Sequence, residues 1–289
     1  MSYLEAVVLG LVQGVTEFLP ISSTAHLRIV PALLGWNDPG AAYSAVIQLG
    51  TVGAVLVYFA KDLVHLTKAF LKGLVEKKPF GTLDSRLAWF VGLGTIPIGV
   101  CGLAFKKTIE TSLRSLYVIS ASLIVLALVL LVVERIAAHK RTLDEMTLKD
   151  GIVVGLWQAV ALIPGSSRSG TTITGALSLG FTRADAARYS FLLSIPATTL
   201  AGVFELKHLL QATDGPGLDV MIIGTVVSFV SGLAAIWGLL QFLKNRSMLV
   251  FVAYRVVMGL ALLGLLSSGR LEASPMKAPV AAAADAAGP

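Results

Sequence analysis

One short pattern occurs twice in this chain, and the pair restricts what the chain can fold into. Glu5-Ala6-Val7-Val8-Leu9-Gly10-Leu11-Val12-Gln13-Gly14-Val15 aligns with Asp150-Gly151-Ile152-Val153-Val154-Gly155-Leu156-Trp157-Gln158-Ala159-Val160, so that Gly10 falls on Gly155, 145 residues later. Pro20-Ile21-Ser22-Ser23 then aligns with Pro164-Gly165-Ser166-Ser167 at an offset one residue shorter, and Tyr43-Ser44 and Arg114-Ser115 align with Tyr189-Ser190 and Arg246-Ser247. Chance can align Leu and Val between two apolar helices, but not Gly-Leu-x-Gln followed in order by Pro-x-Ser-Ser. The chain therefore reads as two diverged copies of one unit. The one-residue slip leaves Glu17 without a counterpart, so the first copy supplies Glu17 and His26 and the second supplies Arg168.

The solvent for most of this unit is lipid. Apolar residues make up 55% of the chain and charged ones only 14%, with a mean hydropathy of +0.81; a soluble surface needs more charge. Ala42–Ala60, Leu87–Phe105, Leu116–Val133 and Met248–Leu266 approach the ~20 residues that cross a bilayer, and Tyr189–Leu206 and Val220–Leu243 make two further spans. Each copy opens instead with a run of ~15 residues rising only ~22 Å, a Pro-x-Ser-Ser break and a second short run. That pattern predicts a re-entrant hairpin of two half-helices, whose irregular backbone is tolerated where it is buried in protein or lines a wet cavity. The expected fold is an all-α polytopic membrane protein, an inverted-topology repeat with two re-entrant hairpins and about six full spans. Its divisions are residues 1–136, a linker 137–149, a second repeat 150–267 and a disordered Ala/Pro-rich tail 268–289.

The net charge of +6 does not indicate nucleic acid, because the cations lie in loops that orient spans and meet anionic lipid. Lys61–Arg86, amphipathic and rich in Lys, belongs in the cytoplasm, as does the Ala137–Asp150 linker. Lys207–Asp219 and Lys106–Arg114 then fall outside. The single cysteine, Cys101, excludes an intrachain disulfide and a Cys-rich metal site. The first apolar run lacks a basic leader, so no cleavable signal is expected.

Polar chemistry concentrates at the two breaks. Gln13 and Glu17 share a helix face, and an intramembrane carboxylate costs roughly 2.5–3.5 kcal/mol on insertion scales, which marks it as functional. Ser22-Ser23-Thr24-Ala25-His26 follows. One serine is explained as an N-cap, but Glu17, two serines, Thr24 and His26 within ten residues are not. His26 lies about one turn beyond Ser23, where it could exchange a proton with the same group. The second break, Pro164-Gly165-Ser166-Ser167-Arg168-Ser169-Gly170-Thr171-Thr172, combines small residues, hydroxyls, a helix start and a guanidinium. That is the chemistry of a phosphate cradle. Thr182-Arg183-Ala184-Asp185 has capping-box spacing. His65, His139 and His208 read as solvated, and Arg255 as a brace for a buried carboxylate or carbonyl or as a second phosphate ligand.

These two motifs resemble those of the bacterial undecaprenyl-diphosphate phosphatase family, also called the bacitracin-resistance protein, over residues 1–267. The family's Glu/Gln-x-x-x-Glu motif is matched by Gln13 and Glu17, and its Pro-Gly-Ser-x-Arg-Ser-Gly-x-Thr motif in full. The resemblance implies removal of the terminal phosphate from undecaprenyl diphosphate at the bacterial inner membrane, recycling the cell-wall lipid carrier, with the site facing the extracytoplasmic side. Glu17, Ser23, His26 and Arg168 are then the catalytic candidates: Ser23 as nucleophile, Glu17 as its base with or without His26, and His26 as an acid for the leaving group. Direct attack by water activated by Glu17 is the alternative. Gln13, Ser22, Thr24, Gly165, Ser166, Ser167, Ser169, Gly170 and Thr171 are the substrate-binding candidates. A divalent cation, Mg²⁺ or Ca²⁺, could bridge Glu17 and the diphosphate. The expected partners are a polyprenyl diphosphate, membrane lipids and, as an open option, a second copy in a homodimer. Acid-phosphatase-type lipid phosphatases need Ser-Arg-x5-His, which Thr174 breaks. A secondary transporter or lipid flippase is the competing reading, since broken helices in inverted repeats suit it equally.

Overall fold

Every long apolar run of the sequence becomes a helix, because in lipid each backbone N–H and C=O must be satisfied within its own segment. The computed structural model describes residues 1–110, 113, 115–211, 217–271 and 273. The expectations for Arg114, for the side chains of Lys207 and His208 and for most of the 268–289 tail lie outside these residues. In chain order the helices are α1 (Tyr3–Phe18), α2 (Ser23–Leu34), α3 (Gly40–Tyr58), α4 (Ala60–Val75), α5 (Leu83–Ala104), α6 (Lys106–Glu110), α7 (Leu116–Ile136), α8 (Leu148–Val160), α9 (Arg168–Ser178), α10 (Arg183–Gln211), α11 (Leu218–Leu243) and α12 (Leu249–Ser267). Four of them, α5, α7, α11 and α12, are long and apolar enough to cross a membrane, and α3 with α4, bent by 76° at their junction, adds a fifth if counted as one. α10 is also long, but opens on Arg183, Asp185 and Arg188. Of the expected capping box at its start only half forms: Thr182 Oγ1 accepts from Asp185 N and donates to the Asp185 carboxylate, while the Thr182 N–H donates to the Arg141 carbonyl at 2.8 Å.

The two short pairs, α1–α2 and α8–α9, are hairpins that enter from opposite faces. The start of α1 lies beside the start of α11, where the Tyr3 hydroxyl donates to Asp219 at 2.7 Å. α11 ends on the far face, and there Glu134, at the end of α7, accepts from Arg183 Nε (2.7 Å) and from Met248 N (3.2 Å). The linker after α7 stays on that face. Its Arg141 donates to Asp150 at the start of α8 and to the Leu179 carbonyl at the end of α9, closing the mouth of the second hairpin. His139, expected to be solvated, is half-buried and bonded to the Glu134 carbonyl at 3.0 Å.

Packing in one half is repeated in the other with partners exchanged. α1 packs on α11, and its counterpart α8 packs on α5, while the equivalent pairs α3 with α10 and α7 with α12 pack on each other. At both crossed contacts backbone meets backbone over glycine. A Cβ on Gly10 would lie 2.5 Å from the Gly224 carbonyl oxygen, and one on Gly155 would lie 2.5 Å from that of Gly94. Close approach of this kind is how helices associate in lipid, where no hydrophobic force drives them together. Gly155→Ala is expected to lower the unfolding midpoint in detergent by an overpacking cost of about 1–3 kcal/mol. Gly92→Ala, where a Cβ meets nothing within 4 Å, is expected to leave it unmoved; equal midpoints for the two variants would show that the α5–α8 contact yields.

The structure corrects the register of the repeat. α1 and α8 both begin with capping boxes, Ser2 with Glu5 and Thr147 with Asp150. The second helix of each hairpin is capped by Ser22 and by Ser167, at the same offset of 145 residues as Gly10 and Gly155. No residue is skipped. The apparent slip arose from pairing Pro20 with Pro164, which occupy different places in turns of different length, since α8 stops at Val160 while α1 continues to Phe18. Ser22 is therefore equivalent to Ser167, Glu17 to Leu162, and Ser23 to Arg168.

Candidate active site

Ser22 and Ser167 hold the two breaks in the same rare conformation. Their φ angles are 75° and 68°, outside the helical and extended regions open to L-residues. Such backbone costs on the order of 1–3 kcal/mol and concentrates at functional sites. Glycine would relax it, but serine also caps: Ser22 Oγ accepts from Ala25 N at 3.3 Å and Ser167 Oγ from Gly170 N at 3.1 Å. The strained caps aim the first residues of α2 and α9, Ser23 and Arg168, toward each other across the centre of the protein.

Both meet Glu17. One carboxylate oxygen accepts from Ser23 Oγ (2.6 Å) and Gln13 Nε2 (3.0 Å), and the other from Arg168 (2.8 Å) and Gln48 Nε2 (2.8 Å). Glu17 is 5% exposed. A buried charge is tolerated only when paired and fully hydrogen-bonded, and this one is. The arrangement joins a hydroxyl to a base and the base to an orienting cation, the geometry that activates a serine. Arg168 donates to Glu17 through Nη2 and, at 3.5 Å, to the Ser190 carbonyl through Nη1, and it lines the cavity beside Glu17; its Nε has no hydrogen-bond partner among the described residues. That cavity, of about 160 Å³, is bounded by Glu17, Ser23, Thr24, Gln48 and Arg168 on its polar side. It adjoins a second of about 260 Å³ that shares Ser23, Thr24, Gln48 and Ala161 and reaches Gln13.

Other expected site residues are placed differently. Gly165 and Ser167 line the first cavity with Ser22. Ser166 donates to the carbonyls of Ile163 and Val160, and Thr171 to that of Arg168, so these hydroxyls brace the turn. Ser169 donates to the Leu19 carbonyl at 3.0 Å and ties one break to the other. Gly170 is kept small by Arg255, whose guanidinium would lie 2.8 Å from a Cβ there. Arg255, 1% exposed, donates to the Ser166 carbonyl at 2.9 Å and extends toward those of Gly165 and Ser122. Of the roles open to it, the carbonyl brace is the one the geometry fits.

His26 is turned away from Ser23. Its Nδ1 lies 2.7 Å from the Ser22 carbonyl, which can only accept, so Nδ1 carries the proton. Nε2 is then bare in the neutral ring and accepts from the Tyr254 hydroxyl at 2.5 Å, with the two rings stacked. With both nitrogens engaged, the expected exchange with Ser23 or a leaving group has no route in this arrangement; His26 holds the strained cap instead. Glu17 likewise does not fit a metal ligand here: four donors fill its acceptor positions, one of them a guanidinium. Among the described residues no cluster of His, Cys, Asp and Glu could hold an ion. Sequence reading passed over Gln48 and Tyr254. Gln48 carried a signal, an amide within the apolar run Ala45-Val46-Ile47-Gln48-Leu49.

A family model described as bacitracin resistance protein BacA matches residues 6–261. The undecaprenyl-diphosphatase of Myxococcus xanthus (strain DK1622) is 68% identical over 276 residues, covering 96% of this chain and 92% of that one. Those of Chloroherpeton thalassium and Chlorobium chlorochromatii are 54% and 50% identical, each over 94% of this chain and the whole of the relative.

Proposed function

This chain belongs to the bacitracin resistance protein BacA family, and from that premise we propose how its central pocket works as an undecaprenyl-diphosphatase. The enzyme hydrolyses undecaprenyl diphosphate to undecaprenyl phosphate and orthophosphate, recycling the cell-wall lipid carrier. The observation that carries the reading is the Ser23–Glu17–Arg168 chain of hydrogen bonds at the meeting of the two breaks. Ser23 Oγ attacks the terminal phosphorus as Glu17 takes its proton. The bond to the bridging oxygen breaks, and undecaprenyl phosphate departs with the proton from Glu17. In the second step a water gives its proton to the restored carboxylate and attacks the phosphoserine; orthophosphate leaves and the proton returns to Oγ. Through both steps Arg168 and the N-terminal N–H groups of α2 and α9 neutralise charge on the transferred phosphoryl oxygens, as phosphoryl transfer chiefly requires. Mg²⁺ or Ca²⁺ enters this scheme only as a counter-ion of the diphosphate.

Loop charge supports an extracytoplasmic site. Lys68, Lys72, Lys78, Arg141, Arg183 and Arg246 gather on the Glu134 face, which the positive-inside tendency assigns to the cytoplasm of the inner membrane. The cavities reach Asp38 and Ile109, on the opposite face. α10, the counterpart of α3 in the second of the two inverted repeats, then makes the sixth crossing. The test is release of orthophosphate by purified protein in detergent given undecaprenyl diphosphate. Turnover without any membrane separates hydrolysis from transport; its absence in folded, lipid-binding protein would favour a flippase.

A further inference from the structure

Two chambers meet at Ser23, and they differ in character. The one holding Arg168 is walled by Ile98, Ile163, Ala197 and Ala201, beside a lipid-facing surface of α5 and α10 where Val100 and Leu200 are 60% and 68% exposed. The other holds Gln13, Arg28, Asp38 and Ser44. An isoprenoid tail suits the lipid-facing side of the first, and a small hydrated anion suits the Arg28 side of the second, whose remaining wall includes Leu27, Ala45, Ile109, Leu162 and Pro164.

Arg28 lies five residues beyond Ser23 on α2 and is 9% exposed. Its Nε comes no nearer to Asp38 than 3.5 Å and has no hydrogen-bond partner among the described residues. A buried guanidinium held this loosely is costly unless another acceptor completes it. At the equivalent place in the second repeat stands Ile173, buried in the main apolar core, so the fold does not need a cation there. We propose that the Arg28 chamber is a phosphate subsite, which receives the orthophosphate released from Ser23 and passes it toward the Asp38 side. The inference rests on the reading of Ser23, Glu17 and Arg168 as a phosphatase. It gives the two products separate routes: the lipid leaves past α5 and α10, and the anion leaves past Arg28. Asp38 competes for the same guanidinium and repels the anion, which keeps the product from being trapped.

Inorganic phosphate is the probe. Equilibrium binding of radiolabelled orthophosphate to the Ser23→Ala protein in detergent reads the subsite without turnover. Adding Arg28→Gln is expected to weaken binding by about tenfold or more, Arg28→Lys by less because the charge remains without the fork, and Asp38→Asn to tighten it. In the Ser23-containing enzyme the inhibition constant for phosphate should follow the same order, while the KM for undecaprenyl diphosphate changes by a much smaller factor. Unaltered phosphate binding in both Arg28 variants would overturn the subsite, and so would a KM that rises in step with the phosphate constant, since Arg28 would then be holding substrate. Failure of the wild-type protein to release phosphate would instead overturn the phosphatase reading, and the binding measurement stands apart from it.

Discussion

Ser23→Ala is expected to abolish phosphate release, with a loss of several orders of magnitude in kcat in protein that still binds the lipid diphosphate. Of the two side chains that both bond the Glu17 carboxylate and line both cavities, Ser23 and Gln48, only Ser23 carries a hydroxyl that can attack. Removing a nucleophile leaves only the contribution of the surrounding donors, whereas loss of a single oxyanion donor costs ~10²–10³ in rate. Ser22 supplies the contrast. Its role is to cap α2 while holding a φ of 75°. Ser22→Gly should therefore retain more activity than Ser22→Ala, because glycine accepts that backbone and alanine neither accepts it nor caps. Single-turnover assays with acid quench would show a phosphoserine in the wild type and none in Ser23→Ala. Substantial turnover by Ser23→Ala would transfer the attack to water, with Glu17 as its base.

Arg168→Lys should lower kcat by about 10²–10³ although the charge is kept. The guanidinium bonds Glu17 through Nη2 at 2.8 Å, reaches the Ser190 carbonyl through Nη1 at 3.5 Å and lines the cavity, so on the proposed reading a single group positions the base and binds phosphate. An ammonium on a flexible stem can do one of these but not both in a fixed plane. The loss should fall mainly on kcat, because the interaction strengthens as charge moves onto the transferred phosphoryl group. Near wild-type kcat in Arg168→Lys would reduce Arg168 to a source of positive potential.

Gln13, Glu17, Ser23 and Arg168 could be found from sequence because polar groups at breaks in apolar helices have few structural excuses. The hairpins were legible for a similar reason, being too short to span. Where reading failed, the missing information was three-dimensional. Matching prolines shifted the repeat by one residue, and only the shared backbone of Ser22 and Ser167 exposed the equivalence of Ser23 and Arg168. The orientation of His26 depends on Tyr254, 228 residues away, which no local spacing announces. Arg28 has no local signal of its own; only the cavity beside it sets it apart.

The crossed packing of the hairpins has a consequence for biogenesis. A ribosome delivers Gly10 more than two hundred residues before Gly224, the backbone against which it closes. The first hairpin, too short to span, must therefore wait for α11 with Glu17, at its polar tip, held by Gln13, Ser23 and Gln48 but without its cation. Arg168 reaches that tip only when the second hairpin enters from the other face. Long-range closure of this kind is slow, and intermediates with unmatched surfaces are exposed to misassembly. The Glu17 site is thus completed only after α9 is made, and a chain cut short before α11 leaves α1 without the helix on which its glycine face closes.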